Sequence, residues 1–196
     1  MKILYEDKYI ICAVKDPGVP SQKDMTGRRD MTDFLKEICG GEVFVVHRLD
    51  TATGGVMVYA KSSRAAGRMS EALASGEKEY FARVYGEPGD GIMRDFLYHD
   101  KRINKSFIVD KERKGVKEAV LEYKTVKTEN GISTVSVILH TGRTHQIRVQ
   151  FASRGYPLVG DGKYGAKDNE PLALHCRRLT FFHPFSGEKM NFISEM

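Results

Sequence analysis

The chain has no tryptophan, three cysteines, six prolines and no long apolar run. Each scarcity excludes something. A membrane-spanning helix needs roughly 20 consecutive apolar residues, and no stretch comes near that, so no membrane association is expected. Cys12, Cys39 and Cys176 are odd in number, far apart and without a CxxC pair. They read as reduced thiols packed in the core of a cytoplasmic protein. There is no P-loop and no HExxH, so neither a nucleotide triphosphate nor a catalytic zinc is announced. His140 with His145, and His175 with His183, lack a cysteine or carboxylate at ligand spacing, so no metal is expected. The opening residues, Met1 to Asp7, reach acidic side chains before any apolar segment forms, unlike a signal peptide.

What remains is an ordinary soluble composition, 41% hydrophobic and 29% charged over 196 residues. That fits one domain, 1–196, large enough to bury a proper core. The net charge of +5 and a pI near 9.0 are compatible with a polyanionic partner. Arg143, Arg148, Arg154, Lys163, Lys167, Arg177 and Arg178 recur through the last third. A solvated face explains such a run as readily as a binding surface does.

Along the chain, Tyr9 to Val14 reads as a strand closed by the turn Asp16-Pro17-Gly18. Thr32 is a candidate cap for a helix with Phe34, Leu35 and Ile38 on one face, ended by Gly40-Gly41. Strands follow over 43–46 and 56–60, then a helix opening at Ser62 or Ser63 with Ala65, Ala66, Met69, Ala72 and Leu73 at helical spacing. Further strands are expected over 80–85, 106–109, 119–126 and 132–139, the last two joined by Asn130-Gly131, which accepts positive φ. Thr144 to Arg154 looks helical, and the end returns to strands over 172–182 and 189–193. Strands that succeed one another without helices argue an α+β fold with a mixed, mostly antiparallel sheet.

Three stretches concentrate reactive side chains. His47-Arg48-Leu49-Asp50-Thr51 lies between two apolar strands, where a strand end exposes groups beside a rigid sheet. The glycines after it let backbone come close to a substrate. A turn in which Arg48 and Asp50 merely neutralise each other is an equal alternative. In Gly142-Arg143-Thr144-His145-Gln146-Ile147-Arg148, a helix starting near Thr144 puts His145 and Arg148 on one face, with free N–H groups and Arg143 suited to a phosphate. A capped amphipathic helix with Arg148 paired at the surface explains the same spacing. In Lys78 to Gly86, Tyr80 shares a strand face with Ala82 and Val84, which makes it a core tyrosine or a ring on which a base stacks.

Together these stretches, HRLD with its Thr/Gly turn, K-x-Y-x-A-x-V-x-G and GRTHQIR running on to Gly160-Asp161, resemble the RluA-like pseudouridine synthases. Leu172-Ala173-Leu174-His175, with Leu179, Phe181, His183 and Pro184, extends the likeness, and Lys15-Asp16-Pro17-Gly18-Val19 looks like the family's KPxG stretch. The matches run in family order from about residue 9 to 192.

Because the matches begin at about residue 9, a catalytic domain without the S4-type RNA-binding domain of many relatives is expected. Its fold would be the family's large mixed sheet flanked by helices, with a central active-site cleft. Asp50 would be the catalytic aspartate and Arg148 its partner. Tyr80 would pack on the target base and help remove the C5 proton. Arg48 would fill the stack vacated by a flipped uridine, and Leu174, with Leu172, would wall the uracil. His47, Arg143 and His145 belong with the substrate contacts. The substrate would be a tRNA or rRNA stem-loop, acted on by a monomer. One departure stands out: the family follows HRLD with a basic residue and T-S-G, whereas here the turn is Thr51-Ala52-Thr53-Gly54-Gly55.

Turning uridine into pseudouridine breaks C1′–N1 and joins C1′ to C5 with no net oxidation or hydrolysis, so no cofactor is required. A glycoside hydrolase also acts at C1′, but it needs two cooperating carboxylates and no second one accompanies Asp50 in a motif. An RNA-binding module without activity would keep the basic surface and would have no use for Asp50.

Overall fold

The computed structural model describes residues 1–25 and 27–196. The chain divides into two compact units, one made of 1–78 and 175–196, the other of 79–174. Among the described residues there are eleven strands and three α-helices.

In the first unit, β1 (Lys2–Glu6), β2 (Ile10–Lys15) and β4 (Gly54–Ala60) pair antiparallel in that order. The two-residue β3 (Phe44–Val45) also lies against β4. β10 (Leu174–Phe182) runs parallel to β4 at His175 and Cys176 and carries β11 (Lys189–Ile193) antiparallel. All seven residues of β4 are buried, as expected of a continuous apolar run covered on both faces. Ile10, Cys12, Val56, Val58, Leu179 and Phe181 form a core with Met69 and Leu73. The last two belong to α2 (Ser63–Ala74), whose buried stripe is Ala65, Met69 and Leu73 at four-residue spacing. Each large side chain so buried contributes about 1.5–3 kcal/mol. Ser62 caps α2, its Oγ accepting from the Ala65 N–H.

α1 (Met31–Cys39) starts earlier than its spacing predicts. Its cap is Asp30, not Thr32, and Asp33 completes a reciprocal capping box. A carboxylate accepts from the first-turn N–H groups as well as a hydroxyl does and also suits the helix dipole. Gly40 ends α1 in the left-handed region as expected.

The second unit is an antiparallel sheet in the order β5, β9, β8, β6, β7. Its strands are β5 (Glu77–Tyr85), β6 (Gly91–Asp100), β7 (Lys105–Val109), β8 (Val116–Glu129) and β9 (Ile132–Leu139). The β8–β9 hairpin turns at Asn130 and Gly131, both at positive φ. β1 and β6 are strands that the pattern of the sequence does not announce.

α3 (Gln146–Ala152) is shorter than the helix expected from Thr144 to Arg154 and is not amphipathic: Gln146 through Phe151 are all buried. It is preceded by His145 in the left-handed region, with no side-chain cap. The first-turn Gln146 N–H bonds back to the Arg143 carbonyl at 3.0 Å.

Candidate active-site residues

In the first unit, the loop between β3 and β4 is tied down at every second residue. The His47 Nε2 accepts the Val58 N–H at 3.1 Å. Leu49 is held at both ends by one hydroxyl: Ser21 Oγ accepts from its N–H at 3.1 Å and donates to its carbonyl at 2.8 Å. The Thr51 carbonyl accepts from the Gly18 N–H at 2.8 Å and from the Lys15 ammonium at 2.9 Å. The Thr53 N–H closes a turn onto the Asp50 carbonyl at 2.9 Å. Burial alternates in step: Leu49 and Thr53 are buried, Arg48 and Ala52 exposed, Asp50 half-buried.

Lys15 is the least expected of these anchors. It is 0% exposed, although it ends an apolar strand and would ordinarily reach solvent. Its Nζ also donates to the carbonyls of Val19 at 2.7 Å and Asp16 at 3.2 Å. Burial pushes its pKa down to about 8, against the opposing pull of the Asp50 and Asp16 carboxylates. His47 is likewise driven down, to about 3, by burial and then by the Lys78 cation. It is therefore a neutral imidazole that accepts from backbone at Nε2, which assigns its proton to Nδ1.

The glycines of this loop serve the sheet. A Cβ on Gly55, at φ 122°, would stand 2.3 Å from the Cys176 carbonyl oxygen. The close approach that glycine permits here is that of β10, not that of a substrate.

In the second unit, Tyr80 lies on β5 with Ala82 and Val84, all buried, opposite Val137 of β9. Arg148 of α3 is 8% exposed and meets the fully enclosed Asp161 (1%). Its Nε donates to Oδ2 at 2.7 Å and its Nη2 to Oδ1 at 2.8 Å. The Tyr164 ring lies 5.1 Å from the same guanidinium, and burial first of all raises its phenol pKa. The Tyr164 oxygen accepts the Ser106 N–H at 2.8 Å and sits 2.9 Å from His145 Nδ1. The direction of the Tyr164–His145 hydrogen bond follows the imidazole tautomer. His145 lies outside α3 and shares no helix face with Arg148, as a helix from Thr144 would have given, but both side chains meet Tyr164. Arg143 is tied down as well, its Nε donating to the Glu118 carbonyl at 2.8 Å. Leu174 is buried and Leu172 half-buried, and Ala173 between them bonds to Val159 and Arg83.

Sequence reasoning assigned no role to Lys15, Ser21, Asp161 or Tyr164. The available signals were weak: Lys15 and Asp161 stand inside family-like stretches without a residue-level reason, and Ser21 carries none. Gly160, Gly162 and Gly165 do have the spacing GxGxxG, but Gly162 opens a 3-10 turn, Gly162–Tyr164, that Gly165 ends. The dinucleotide fingerprint requires a strand leading into a helix, so no dinucleotide site follows. Among the described residues no group of three His, Cys, Asp or Glu is placed to hold a metal ion, and no helix is long and apolar enough to cross a membrane.

The family model described as RNA pseudouridylate synthase matches residues 9–153. The chain belongs to the RluA-like family of RNA pseudouridine synthases. It is 32% identical to the dual-specificity RNA pseudouridine synthase RluA of Vibrio cholerae, over 94% of this chain and 78% of that one. It is 33% identical to an uncharacterized RNA pseudouridine synthase of Synechocystis, covering 100% of this chain and 65% of the relative's length. The fold is the family's own: human RNA pseudouridylate synthase domain containing 4 superposes with a TM-score of 0.82 at 23% identity, over 100% of this chain and 88% of that one. The family is one of isomerases acting on RNA.

Proposed function

We propose that this chain isomerises specific uridines of structured tRNA or rRNA to pseudouridine, with Asp50 as the carboxylate that acts at the sugar. The observation that carries the reading is the stitched loop: anchors at residues 47, 49, 51 and 53 fix the backbone on both sides of Asp50. A group that must meet one atom of a bound nucleotide gains from such pre-organisation.

The reaction breaks C1′–N1 and forms C1′–C5; a proton leaves C5, and N1 ends protonated. An ionised Asp50 supplies the negative charge the displacement at the sugar or base requires. Arg148 is the partner that holds that carboxylate, and Tyr80 packs on the base and assists departure of the C5 proton. Because the base must leave its stack at a cost of a few kcal/mol, weakly paired uridines are favoured, and Arg48 offsets that cost by occupying the gap. His47, Arg143 and His145 shape the RNA-facing side of the loops, while Leu172 and Leu174 wall the uracil. The enzyme acts as a cytoplasmic monomer without cofactor, on a tRNA or rRNA stem-loop.

Tritium release from RNA carrying [5-³H]uridine tests the reading. Wild-type protein should release tritium, with or without EDTA, from a short hairpin. Asp50→Asn should abolish release while RNA affinity stays within about threefold, since the amide keeps shape and hydrogen bonding but loses the charge. Wild-type turnover by the Asn variant would remove Asp50 from the mechanism, and binding without any release by the wild type would favour a binding module.

A further inference from the structure

The chain's positive charge is concentrated in one place. Between Lys101 and Lys117 there are seven basic residues and two acidic ones, Asp110 and Glu112, a net of +5. The whole chain carries 31 basic and 26 acidic residues, so everything outside this segment sums to zero.

Nor is the last third of the chain the obvious basic face. Arg148 is forked to Asp161 and Arg154 to Asp95, while Arg177 and Arg178 pair with Glu195 and Glu77. Lys163 donates to the Asn104 carbonyl. Within 101–117 Arg102 pairs with Asp100, whereas Lys101, Lys111, Arg113, Lys114 and Lys117 are all exposed. The segment comprises the β6–β7 turn, the strand β7, which pairs with β6 at the edge of its sheet, and the β7–β8 loop.

Lysines on an edge strand often serve only to repel another edge. That role suits Lys105, which lies on β7, but Lys101, Lys111, Arg113 and Lys114 lie in the loops at either end of it. Ile103 in the β6–β7 turn and Phe107 on β7, 57% and 39% exposed, add apolar surface, and Lys105 stands 5.8 Å over the Phe107 ring. A cationic loop pair with an exposed aromatic between them matches a sugar–phosphate backbone with accessible bases.

The hairpin is also fastened beside Arg148. Ser106 bonds through its N–H to Tyr164 and through its hydroxyl to the Thr144 carbonyl at 2.6 Å, and Tyr164 is the ring over the Arg148 guanidinium.

We infer that the 101–117 hairpin and loop are the main phosphate-binding surface of this protein, gripping the backbone of the substrate RNA beyond the target loop. The identity of the polyanion rests on the RNA-isomerase reading above; the surface itself rests on the charge distribution.

The test compares two quadruple variants, each losing four charges. One changes Lys101, Lys111, Arg113 and Lys114 to Gln; the control changes the exposed Lys23, Arg64, Lys124 and Lys189 to Gln. Each phosphate contact contributes about 0.7–0.9 to the slope of log K against log salt. The hairpin variant should lower that slope by about 2–3 on an RNA with a long flanking stem, and raise KM on that RNA about tenfold or more with kcat within about twofold. The KM penalty should shrink on an RNA trimmed to the target loop. The control variant should lower the slope by less than about 1. A charge-conserving version, with the lysines as Arg and Arg113 as Lys, should keep the wild-type slope and KM, separating charge from any disturbance of folding.

Equal slope changes in both quadruples, or an unchanged slope in the hairpin variant, would overturn the inference. Tritium release plays no part in the slope, so a wild-type protein that binds RNA without converting it would sink the isomerase reading and leave this one standing.

Discussion

Arg148 and Asp161 face each other edge to edge, Nε and Nη2 of the guanidinium against the two carboxylate oxygens, both side chains out of solvent. Two charge-assisted bonds of this kind fix the plane of the guanidinium as well as its position. An arginine proposed to hold a second carboxylate is thereby oriented before any RNA arrives.

The fork makes Arg148→Lys a damaging change. A lysine keeps the charge but cannot bond in two parallel directions, so turnover should fall tenfold or more. Arg148→Ala should cut turnover a hundredfold or more, and should also lower stability by about 3–5 kcal/mol, because Asp161 stays buried without its partner. Single-turnover kinetics and urea denaturation measure the two effects. Wild-type turnover in the Lys variant would mean that only charge matters at this position.

Arg48, exposed on the loop, is expected to work on the RNA. Arg48→Ala should weaken productive binding to a structured stem-loop more than to a substrate whose uridine is already unstacked, whereas Arg148→Ala should harm both alike. Equal penalties for Arg48→Ala on both substrates would show that the arginine does not replace the flipped base.

Lys15→Met removes the ammonium and keeps most of the volume. The carbonyls of Asp16, Val19 and Thr51 then lose a donor in a closed site, and a buried acceptor left unmade costs about 1–3 kcal/mol. Part of that loss should appear as slack in the Asp50 loop: kcat down about tenfold with KM unchanged. A variant merely less stable, with wild-type kcat at low temperature, would make Lys15 a folding residue only.

His47 sets a pH dependence of stability. Its folded pKa of about 3 lies below the ordinary value near 6.5, so between those limits the unfolded chain binds more protons than the folded one. Stability therefore rises with pH across that window and is lost as the pH falls from about 6.5 towards 3. Urea midpoints at pH 7 and 4.5 should differ less in His47→Gln, whose amide oxygen still accepts from Val58. An identical acid loss in the variant would assign the effect to other groups.

Local patterns carried much of the fold. The α2 stripe, the Asn130-Gly131 hairpin and the bounds of β9 and β11 were all legible, because spacing and turn chemistry are properties of neighbours in sequence. β6 was not, since Arg94-Asp95 interrupts its apolar alternation and its partners β7 and β8 lie further along the chain. α3 misled for a related reason: its spacing fits a capped amphipathic helix with Arg148 at the surface, yet Gln146, Arg148 and Gln150 are all buried. Gln146 accepts from Thr141 and Arg143, Arg148 forks to Asp161, and Gln150 donates to Asp95. Buried polar partners are invisible to periodicity. The same holds for Arg148, Arg154, Arg177 and Arg178, whose charges are met by carboxylates that sequence order does not reveal.

The stitched loop separates what can vary from what cannot. At Thr51 the anchor is a backbone carbonyl, offered equally by any residue, so the absence of the family's basic residue there leaves the frame around Asp50 untouched. The hydrogen bonds of Leu49 are likewise made by its backbone, while its side chain is buried, and residues 48 and 52 are exposed. On the proposed reading, RNA preference can therefore drift at the exposed positions through single substitutions while the geometry around Asp50 is inherited unchanged.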